Sequence, residues 1–269
     1  MTVTQPTAAG VRDQQVIQIQ DLTKVYRTQR GDSVTALVKI SFDIRDGEFI
    51  TCVGPSGCGK STLLKILAGL LQLTEGRVML QGTPVHGPRK DIGIVFQNSV
   101  LLPWRNVLQN TMLPVEVQGL DRNKYLPRAR ELIEMAGLAG FEDKYPFELS
   151  GGMQQRNSII RALIHDPAIL LMDEPFGALD AMTRELMNLE LQRIWGESQK
   201  TVFFITHSIP EAVFLADRVV VLSARPGQLI EVVPIDLPRP RDLDMMASPD
   251  FGQYVVRIRH HFDLKGSLD

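Results

Sequence analysis

Three absences narrow the class of protein to which this sequence belongs. The 269 residues contain no run of about 18 apolar residues, so no segment is expected to cross a bilayer as a helix. Only two cysteines occur, Cys52 and Cys58, which excludes a disulfide framework and a cysteine-based zinc site. The formal net charge is −2, which gives no broad basic surface for nucleic acid or anionic lipid. Nucleic acid is therefore not an expected partner.

The N-terminal segment lacks the apolar core of a secretory signal, because residues 1–15 are mostly polar. We expect a flexible tail over 1–15 and a chain that stays in the cytosol. Hydrophobic residues make up 44% and charged residues 22%, which is ordinary for a globular protein of one large or two small α/β domains.

A phosphate-binding loop is the strongest motif. The apolar run Phe49–Val53 predicts a buried strand, and it leads into Gly54-Pro-Ser-Gly-Cys-Gly-Lys-Ser61 with the full G-x-x-x-x-G-K-[ST] spacing. Glycines let the backbone N–H groups turn toward phosphate oxygens, and the following helix directs its positive end to the same place. Lys60 adds a charge for the terminal phosphates, and the Ser61 hydroxyl can bind Mg²⁺. The loop predicts a nucleoside triphosphate but not its reaction.

A second glycine-rich helix start lies at Ser150-Gly-Gly-Met-Gln154. Ser150 is a favourable N-cap, and the two glycines that follow are costly unless the backbone must approach something closely. On spacing alone, an ordinary capped helix and a second anion site are equally good interpretations.

Four predicted strands are each followed by a polar or phosphate-binding element. These are the loop after Val53, Gln97 after Phe96, Asp173 and Glu174 after Met172, and His207 after Thr206. Ligands bind at the carboxyl edge of the strands in a doubly wound α/β sheet, so we expect one shared site.

The chemistry of these residues predicts separate roles. Successive strand residues point to opposite faces, so Asp173 and Glu174 should not act alike. Asp173 suits Mg²⁺, Glu174 is then free to orient or deprotonate a water, and His207 could contact the terminal phosphate. Tyr26 follows the first predicted strand and could either stack on adenine or belong to the core or surface. The sequence alone does not decide between these.

Taken in order, these motifs resemble an ABC-transporter nucleotide-binding subunit over about residues 15–240. The resemblance rests on residues 54–62, Gln97, Leu149–Arg156, Leu170–Glu174, Ala178–Asp180 and His207. The Ser-Gly-Gly-x-Gln stretch is its most specific part, since it separates this family from other P-loop ATPases. The implied fold is an α/β, ABC-type P-loop NTPase with a mixed sheet core, an N-terminal antiparallel β region and an inserted helical subdomain. The implied division is an ATP-binding domain at 16–240, a helical subdomain at about 98–165 and a helical extension at 241–269.

The resemblance implies a head-to-tail dimer with an identical chain or a paralogue. Two ATP molecules are each held between the phosphate loop of one subunit and residues 150–154 of the other. The implied catalytic residues are Glu174, His207 and Gln97, and the implied Mg²⁺ ligands are Ser61, Gln97 and Asp173. The implied ATP-contacting residues are Tyr26, Gly54, Pro55, Ser56, Gly57, Cys58, Gly59, Lys60, Ser61, Thr62, Ser150, Gly151, Gly152, Gln154 and Asp180, with Tyr26 stacking on adenine and Asp180 at the dimer contact.

A narrower likeness is to the ATPases of nitrate, sulfonate, taurine and bicarbonate importers. It rests on Leu101-Leu-Pro-Trp-Arg-Asn-Val107, on Met153 and on Leu237-Pro-Arg-Pro-Arg241. It implies a permease contact near Gln97–Val107, an indirect link to a substrate-binding protein, and a place on the cytoplasmic face of the membrane held through the permease. Trp104 is either part of this contact or buried core.

Two other functions are compatible with the motifs. A soluble ABC-type ATPase acting on nucleic acid or ribosomes usually has a coiled-coil insertion, a second ATPase half or a basic stripe, and this sequence has none of these. A module that uses ATP only as a dimerisation switch would not need Glu174 and His207. One departure from the family pattern is Asn157, which shares a helix face with Met153, Ile160 and Ile164 and would need buried partners.

Overall fold

A computed structural model describes residues 12–27, 32–177 and 179–263 of the chain. Its first sheet is antiparallel, with strand order β2-β1-β4-β5. The strands are β1 (Arg12–Arg27), β2 (Ser33–Asp46), β4 (Glu75–Leu80) and β5 (Thr83–Pro84). β1 begins before the predicted start at residue 16, because Arg12 and Gln15 pair with Asp46 and Arg45 of β2. Residues 1–11 of the predicted flexible tail lie outside the described residues.

The second sheet has the order β10-β9-β3-β8-β7-β6. Its parallel strands are β6 (Ile92–Val95), β7 (Ile169–Asp173), β8 (Thr201–Ile205), β3 (Phe49–Val53) and β9 (Arg218–Leu222), and β10 (Leu229–Pro234) is antiparallel to β9. The predicted α/β fold with a mixed sheet and an antiparallel N-terminal region is confirmed. The four strands expected to share a functional edge, β3, β8, β7 and β6, are consecutive neighbours.

Strand β3 shows how the two faces of this sheet are covered. All five of its residues are buried, as its continuous apolar sequence predicts. Phe49 and Val53 belong to one apolar core, and Ile50 and Cys52 belong to the other. The period of two along a strand sends alternate side chains to opposite faces, and it therefore places the phosphate loop between two packed layers.

Eight α-helices occur among the residues that the structure describes. They are α1 (Lys60–Leu67), α2 (Val107–Thr111), α3 (Leu113–Val117), α4 (Arg122–Met135), α5 (Gly151–Leu163), α6 (Ala181–Ser198), α7 (Ile209–Leu215) and α8 (Pro249–Asp263). The segment 107–117, whose apolar pattern is typical of one helix, forms the two short helices α2 and α3. Pro114 lies in the first turn of α3, where its missing N–H needs no intrahelical partner.

The C-terminal segment packs onto α7 and the second sheet's apolar core. Phe251 and Ile258 of α8 are buried in the core that also contains α7. Arg241, which ends the predicted Leu237–Arg241 motif, is 2% exposed. Its guanidinium donates to the carbonyls of Val213, Phe214 and Ala216 at 2.8, 3.0 and 2.8 Å. The motif therefore supplies hydrogen bonds to the unpaired carbonyls at the end of α7.

Asn157 of α5 has hydrogen-bond partners on α2. It is fully buried, and its Nδ2 donates to Thr111 Oγ1 at 2.8 Å and to the Val107 carbonyl at 3.3 Å. Its Oδ1 atom has no hydrogen-bond partner among the residues that the structure describes. The side chain therefore links α5 to α2.

We predict that Asn157→Ala lowers the free energy of unfolding by about 1–3 kcal/mol, because it removes the amide donor and leaves a cavity beside Thr111. Urea unfolding measures this change. Asn123→Ala, at an exposed position of α4, is the matched control and is expected to change stability by less than about 0.5 kcal/mol. Equal stability of the two variants would contradict a structural role for Asn157.

Candidate functional site

The phosphate loop joins β3 to α1, and its conformation requires glycine at position 59. Gly59 has φ 103°, and a Cβ there would lie 2.7 Å from Leu37 Cδ2 and 3.0 Å from the Ala36 carbonyl oxygen. Only glycine tolerates both the backbone conformation and this approach. Lys60 is 6% exposed, and its Nζ donates to the carbonyls of Gly54 and Pro55 at 2.8 and 3.1 Å. The ammonium group is therefore held directly against the loop.

Ser61 and Asp173 form a pair of oxygen donors beside this loop. The Ser61 hydroxyl donates to Asp173 Oδ1 at 2.9 Å, which joins the start of α1 to the end of β7. Burial raises the pKa of Asp173, and the hydrogen bond from Ser61 opposes that rise. Within the described residues, no group of three His, Cys, Asp or Glu side chains could hold a metal by itself. Mg²⁺ commonly takes one or two carboxylates and completes its shell with phosphate oxygens and water, so these two donors fit that ion.

Glu174 lies close to both of the other predicted catalytic residues. Its Oε2 atom lies 3.4 Å from His207 Nδ1 and 3.5 Å from Gln97 Nε2. Glu174 has φ 45°, which is unusual for a residue other than glycine and costs about 1–3 kcal/mol. Its N–H donates to the Ile205 carbonyl at 3.0 Å, which ties it to the strand that precedes His207. The carboxylate is thus held where two other strand ends meet.

The side chains of Asp173 and Glu174 point to different partners, but for another reason than strand alternation. Strand alternation was expected to send the two side chains to opposite faces, but β7 ends at Asp173. The left-handed backbone at Glu174 redirects the chain, and the Gly177 N–H then closes a turn onto the Glu174 carbonyl at 3.1 Å. The two carboxylates still have different partners, as expected.

Tyr26 lies beside the phosphate-loop helix. Its hydroxyl is 3.2 Å from Thr62 Oγ1, and the residue is 38% exposed. The ring has the Lys24 ammonium 5.2 Å from its centroid, so one cation already contacts this aromatic surface. Tyr26 is therefore not a core residue, and it lies at the surface next to the residue that directly follows the phosphate-loop motif.

The second glycine-rich motif, residues 150–154, belongs to a second group of candidate site residues, separate from those around the phosphate loop. Ser150 Oγ accepts from the Met153 N–H at 3.3 Å, so it caps α5 as predicted. Gln154 Nε2 donates to the Pro146 and Leu149 carbonyls at 2.9 and 3.3 Å. Among the described residues, no hydrogen bond connects residues 150–154 with residues 54–62.

Asp180 lies in this second group. Its side chain caps α6 by accepting from the Thr183 N–H at 3.0 Å, and hydrogen bonds from Thr183 lower the pKa of Asp180. A Cβ on Gly152 would meet Thr183 and Leu179 at 3.5 and 3.6 Å, so the starts of α5 and α6 are neighbours. Ala178, which belongs to the same motif, lies outside the described residues.

The segment from Gln97 to Val107 is anchored to α5. Arg161 donates to the Ser99 and Val100 carbonyls, each at 2.8 Å, and the Ser99 hydroxyl donates to Gln154 Oε1 at 3.2 Å. Trp104 is 70% exposed and Val100 is 56% exposed, so Trp104 is not core. These anchors were not predicted, because each joins residues more than 50 positions apart.

The stretch Ser208-Ile-Pro-Glu211 at the start of α7 has the spacing of a capping box, but only half of that motif forms. Ser208 Oγ accepts from the Glu211 N–H at 3.4 Å, as that motif requires. The Glu211 carboxylate, however, accepts from the Thr206 hydroxyl instead of the Ser208 N–H. The Ser208 N–H donates to Thr206 Oγ1 at 2.9 Å. Thr206 and Glu211 were both missed as site residues, and their only sequence signal is their place beside His207.

Comparisons with known proteins agree on one family. The family model described as ABC transporter matches residues 37–177. An uncharacterised ABC transporter ATP-binding protein of Methanocaldococcus jannaschii is 50% identical over 242 residues, covering 90% of each chain. The taurine import ATP-binding protein TauB of Rhizobium johnstonii is 44% identical over 249 residues, covering 91% of this chain and 95% of that one. TauB of Burkholderia pseudomallei strain K96243 is 47% identical over 220 residues, covering 82% and 84%.

Solved structures point the same way. The dimeric structure of MJ0796, a bacterial ABC transporter cassette, matches with a TM-score of 0.73 and 34% identity, over 82% of this chain and 100% of that one. A post-hydrolysis state of the same cassette, bound to ADP and Pi, matches with a TM-score of 0.69 and 33% identity, over 80% and 99%. In the part of this chain that the structure describes, no helix is long and apolar enough to cross a membrane.

Proposed function

Because this chain belongs to the ABC transporter ATP-binding family, and is an ATPase of that family, we propose that it energises an importer for a small anionic solute. The observation that carries the proposal is the 44% identity to TauB of Rhizobium johnstonii, a taurine import ATP-binding protein, over 91% of this chain. The proposed solute class is that of taurine, sulfonates, nitrate or bicarbonate. No observation favours an ATPase acting on nucleic acid or ribosomes.

Glu174 is proposed to be the general base of hydrolysis. Its carboxylate lies at the meeting point of Gln97 and His207, so it can accept a proton from a water that these side chains help to place. His207 is proposed to contact the γ-phosphate, and Lys60 with the backbone N–H groups of residues 54–62 to hold the β- and γ-phosphates. Ser61 and Asp173, together with Gln97, would hold Mg²⁺, which neutralises charge on the phosphates when bound.

The second group of site residues supports a composite site between two subunits. Ser150, Gly151, Gly152, Gln154 and Asp180 lie at the adjoining starts of α5 and α6 and make no hydrogen bond to the phosphate loop. Cassettes of this family dimerise, and we propose that these residues contact an ATP held by the phosphate loop of a second subunit. That subunit is either an identical chain or a paralogue.

The surface over Gln97–Val107 is proposed to bind the permease. Trp104 and Val100 are exposed there, although large apolar side chains normally avoid water, and Arg161 holds the segment in place. A permease bound at this surface would place the chain on the cytoplasmic face of the membrane, with only an indirect link to a substrate-binding protein. The proposed division is an ATP-binding domain at 16–240 with a helical subdomain at about 98–165, and an extension at 241–269.

Isolation of this chain from its native membrane under mild conditions tests the proposal. We expect an integral permease and a substrate-binding protein to co-purify with it. Calorimetric titration of that binding protein with taurine, an alkyl sulfonate, nitrate and bicarbonate then identifies the solute. Co-purification with ribosomes or nucleic acid, and no membrane subunit, would overturn the importer function while leaving the ATPase chemistry unchanged.

We predict that Tyr26→Ala weakens ATP binding by about 1–3 kcal/mol, because a base stacked on the ring loses that contact. Titration with a non-hydrolysable ATP analogue measures the effect. Tyr26→Phe keeps the ring and loses only the contact with Thr62, so it should bind as the unmodified protein does. An equal loss in both variants would mean that the hydroxyl, and not stacking, is what matters.

A further inference from the structure

A buried carboxylate, that of Glu211, is hydrogen-bonded to the residue before His207. Glu211 is 6% exposed and Thr206 is 2% exposed. The Thr206 hydroxyl donates to the Glu211 carboxylate and accepts from the Ser208 N–H at 2.9 Å. One hydroxyl group therefore binds on both sides of His207, and the carboxylate fixes the orientation of that hydroxyl.

The backbone of residues 205 and 206 is hydrogen-bonded to other parts of the site. The Thr206 N–H donates to the Cys52 carbonyl at 3.2 Å, on the strand that leads into the phosphate loop. Its neighbour Ile205 accepts from the Glu174 N–H at 3.0 Å. The position of His207 relative to Glu174 is thus set through residues 205 and 206.

α7, which carries Glu211, packs against α6. Burial raises the pKa of Glu211, and the hydrogen bond from Thr206 and the charge of Arg184 on α6 oppose that rise. Arg184 donates to the Leu179 carbonyl at 2.9 Å, next to Asp180. Glu211 therefore lies between the His207 segment and the helix that begins at Asp180. A carboxylate whose only task was to cap α7 could bind the Ser208 N–H at the helix surface, and it would avoid the cost of burial.

We propose that Glu211 is a positioning residue for ATP hydrolysis, which acts through Thr206 to hold His207 beside Glu174. This inference rests on the proposed role of His207 at the γ-phosphate. In this role Glu211 itself contacts neither ATP nor the attacking water.

Thr206→Val removes the hydroxyl at nearly constant volume. We expect kcat for ATP hydrolysis to fall by about 10- to 100-fold, because His207 is no longer held in register, while KM for ATP stays within about twofold. Thr206→Ser keeps the hydroxyl and should retain kcat within about twofold. If the valine variant does not fold, Thr206→Val combined with Glu211→Leu replaces both polar partners by apolar groups and serves in its place.

The decisive measurement repeats Thr206→Val in a His207→Ala background, by single-turnover hydrolysis. If Thr206 and Glu211 act through His207, the residual rate changes by less than about twofold. An equal fall in both backgrounds, or a KM that rises with the fall in kcat, would mean a general structural role and would overturn the inference. If His207→Ala lowers kcat and Thr206→Val does not, only the inference fails. If His207→Ala leaves kcat unchanged, the proposed role of His207 fails as well.

Discussion

Glu174→Gln is expected to lower steady-state ATP hydrolysis by about 10²- to 10⁴-fold, the contribution of a positioned general base. The amide keeps the size of the side chain and can still contact His207 and Gln97, but it cannot accept a proton from water at neutral pH. Binding of ATP should be unchanged, because Lys60 and the loop backbone that hold the phosphates are not altered. The loss should therefore appear in kcat and not in the dissociation constant for ATP.

Phosphate release measured at saturating ATP, together with calorimetric binding of a non-hydrolysable analogue, separates these two quantities. Glu134→Gln is the matched control, since Glu134 is an exposed carboxylate on α4. It should hydrolyse ATP at the unmodified rate. A Glu174→Gln protein with more than about a tenth of the unmodified rate would show that Glu174 is not the base, and a water held by Gln97 and His207 would need another proton acceptor. The same comparison excludes a switch-only module, because such a module has no turnover for Glu174→Gln to abolish.

Lys60→Ala is expected to weaken ATP binding by roughly 10- to 150-fold, which corresponds to about 1.5–3 kcal/mol for a hydrogen bond to a charged group. The Lys60 ammonium is already held at the mouth of the loop by the Gly54 and Pro55 carbonyls, so little side-chain entropy remains to be lost when phosphate binds. The variant loses both the charge and the bridge that holds these carbonyls together.

Titration with ATP analogue measures this loss, and thermal unfolding without nucleotide measures the contribution of the bridge to stability. Lys65→Ala is the control, because Lys65 is an exposed lysine on the same helix, α1. Its binding constant should stay within about twofold of the unmodified value. If the two lysine variants bind alike, the phosphates are held by backbone N–H groups alone.

Much of the site could be predicted from the sequence because its parts are contiguous in the chain. The phosphate loop needs a strand, glycines at fixed spacing and a helix start, and all lie within residues 49–67. The convergence of Gln97, Asp173, Glu174 and His207 followed from one rule about parallel strands, and β3, β8, β7 and β6 are indeed consecutive strands of one sheet. The catalytic and binding roles of the individual residues remain predictions.

What only the tertiary structure decided depends on contacts between distant parts of the chain. Trp104 is exposed, Tyr26 lies beside Thr62, and the Asn157 amide donates to Thr111, 46 residues away. The backbone of Glu174 takes a left-handed conformation that strand alternation does not predict, and Glu211 turns into the core instead of capping α7. Local sequence patterns indicate which segments form strands and helices, whereas burial and hydrogen bonding between elements determine where a polar side chain finds its partner. The sequence by itself therefore determined the family of this protein and the position of its site, and the packing of α5, α6 and α7 decided how the site residues are held.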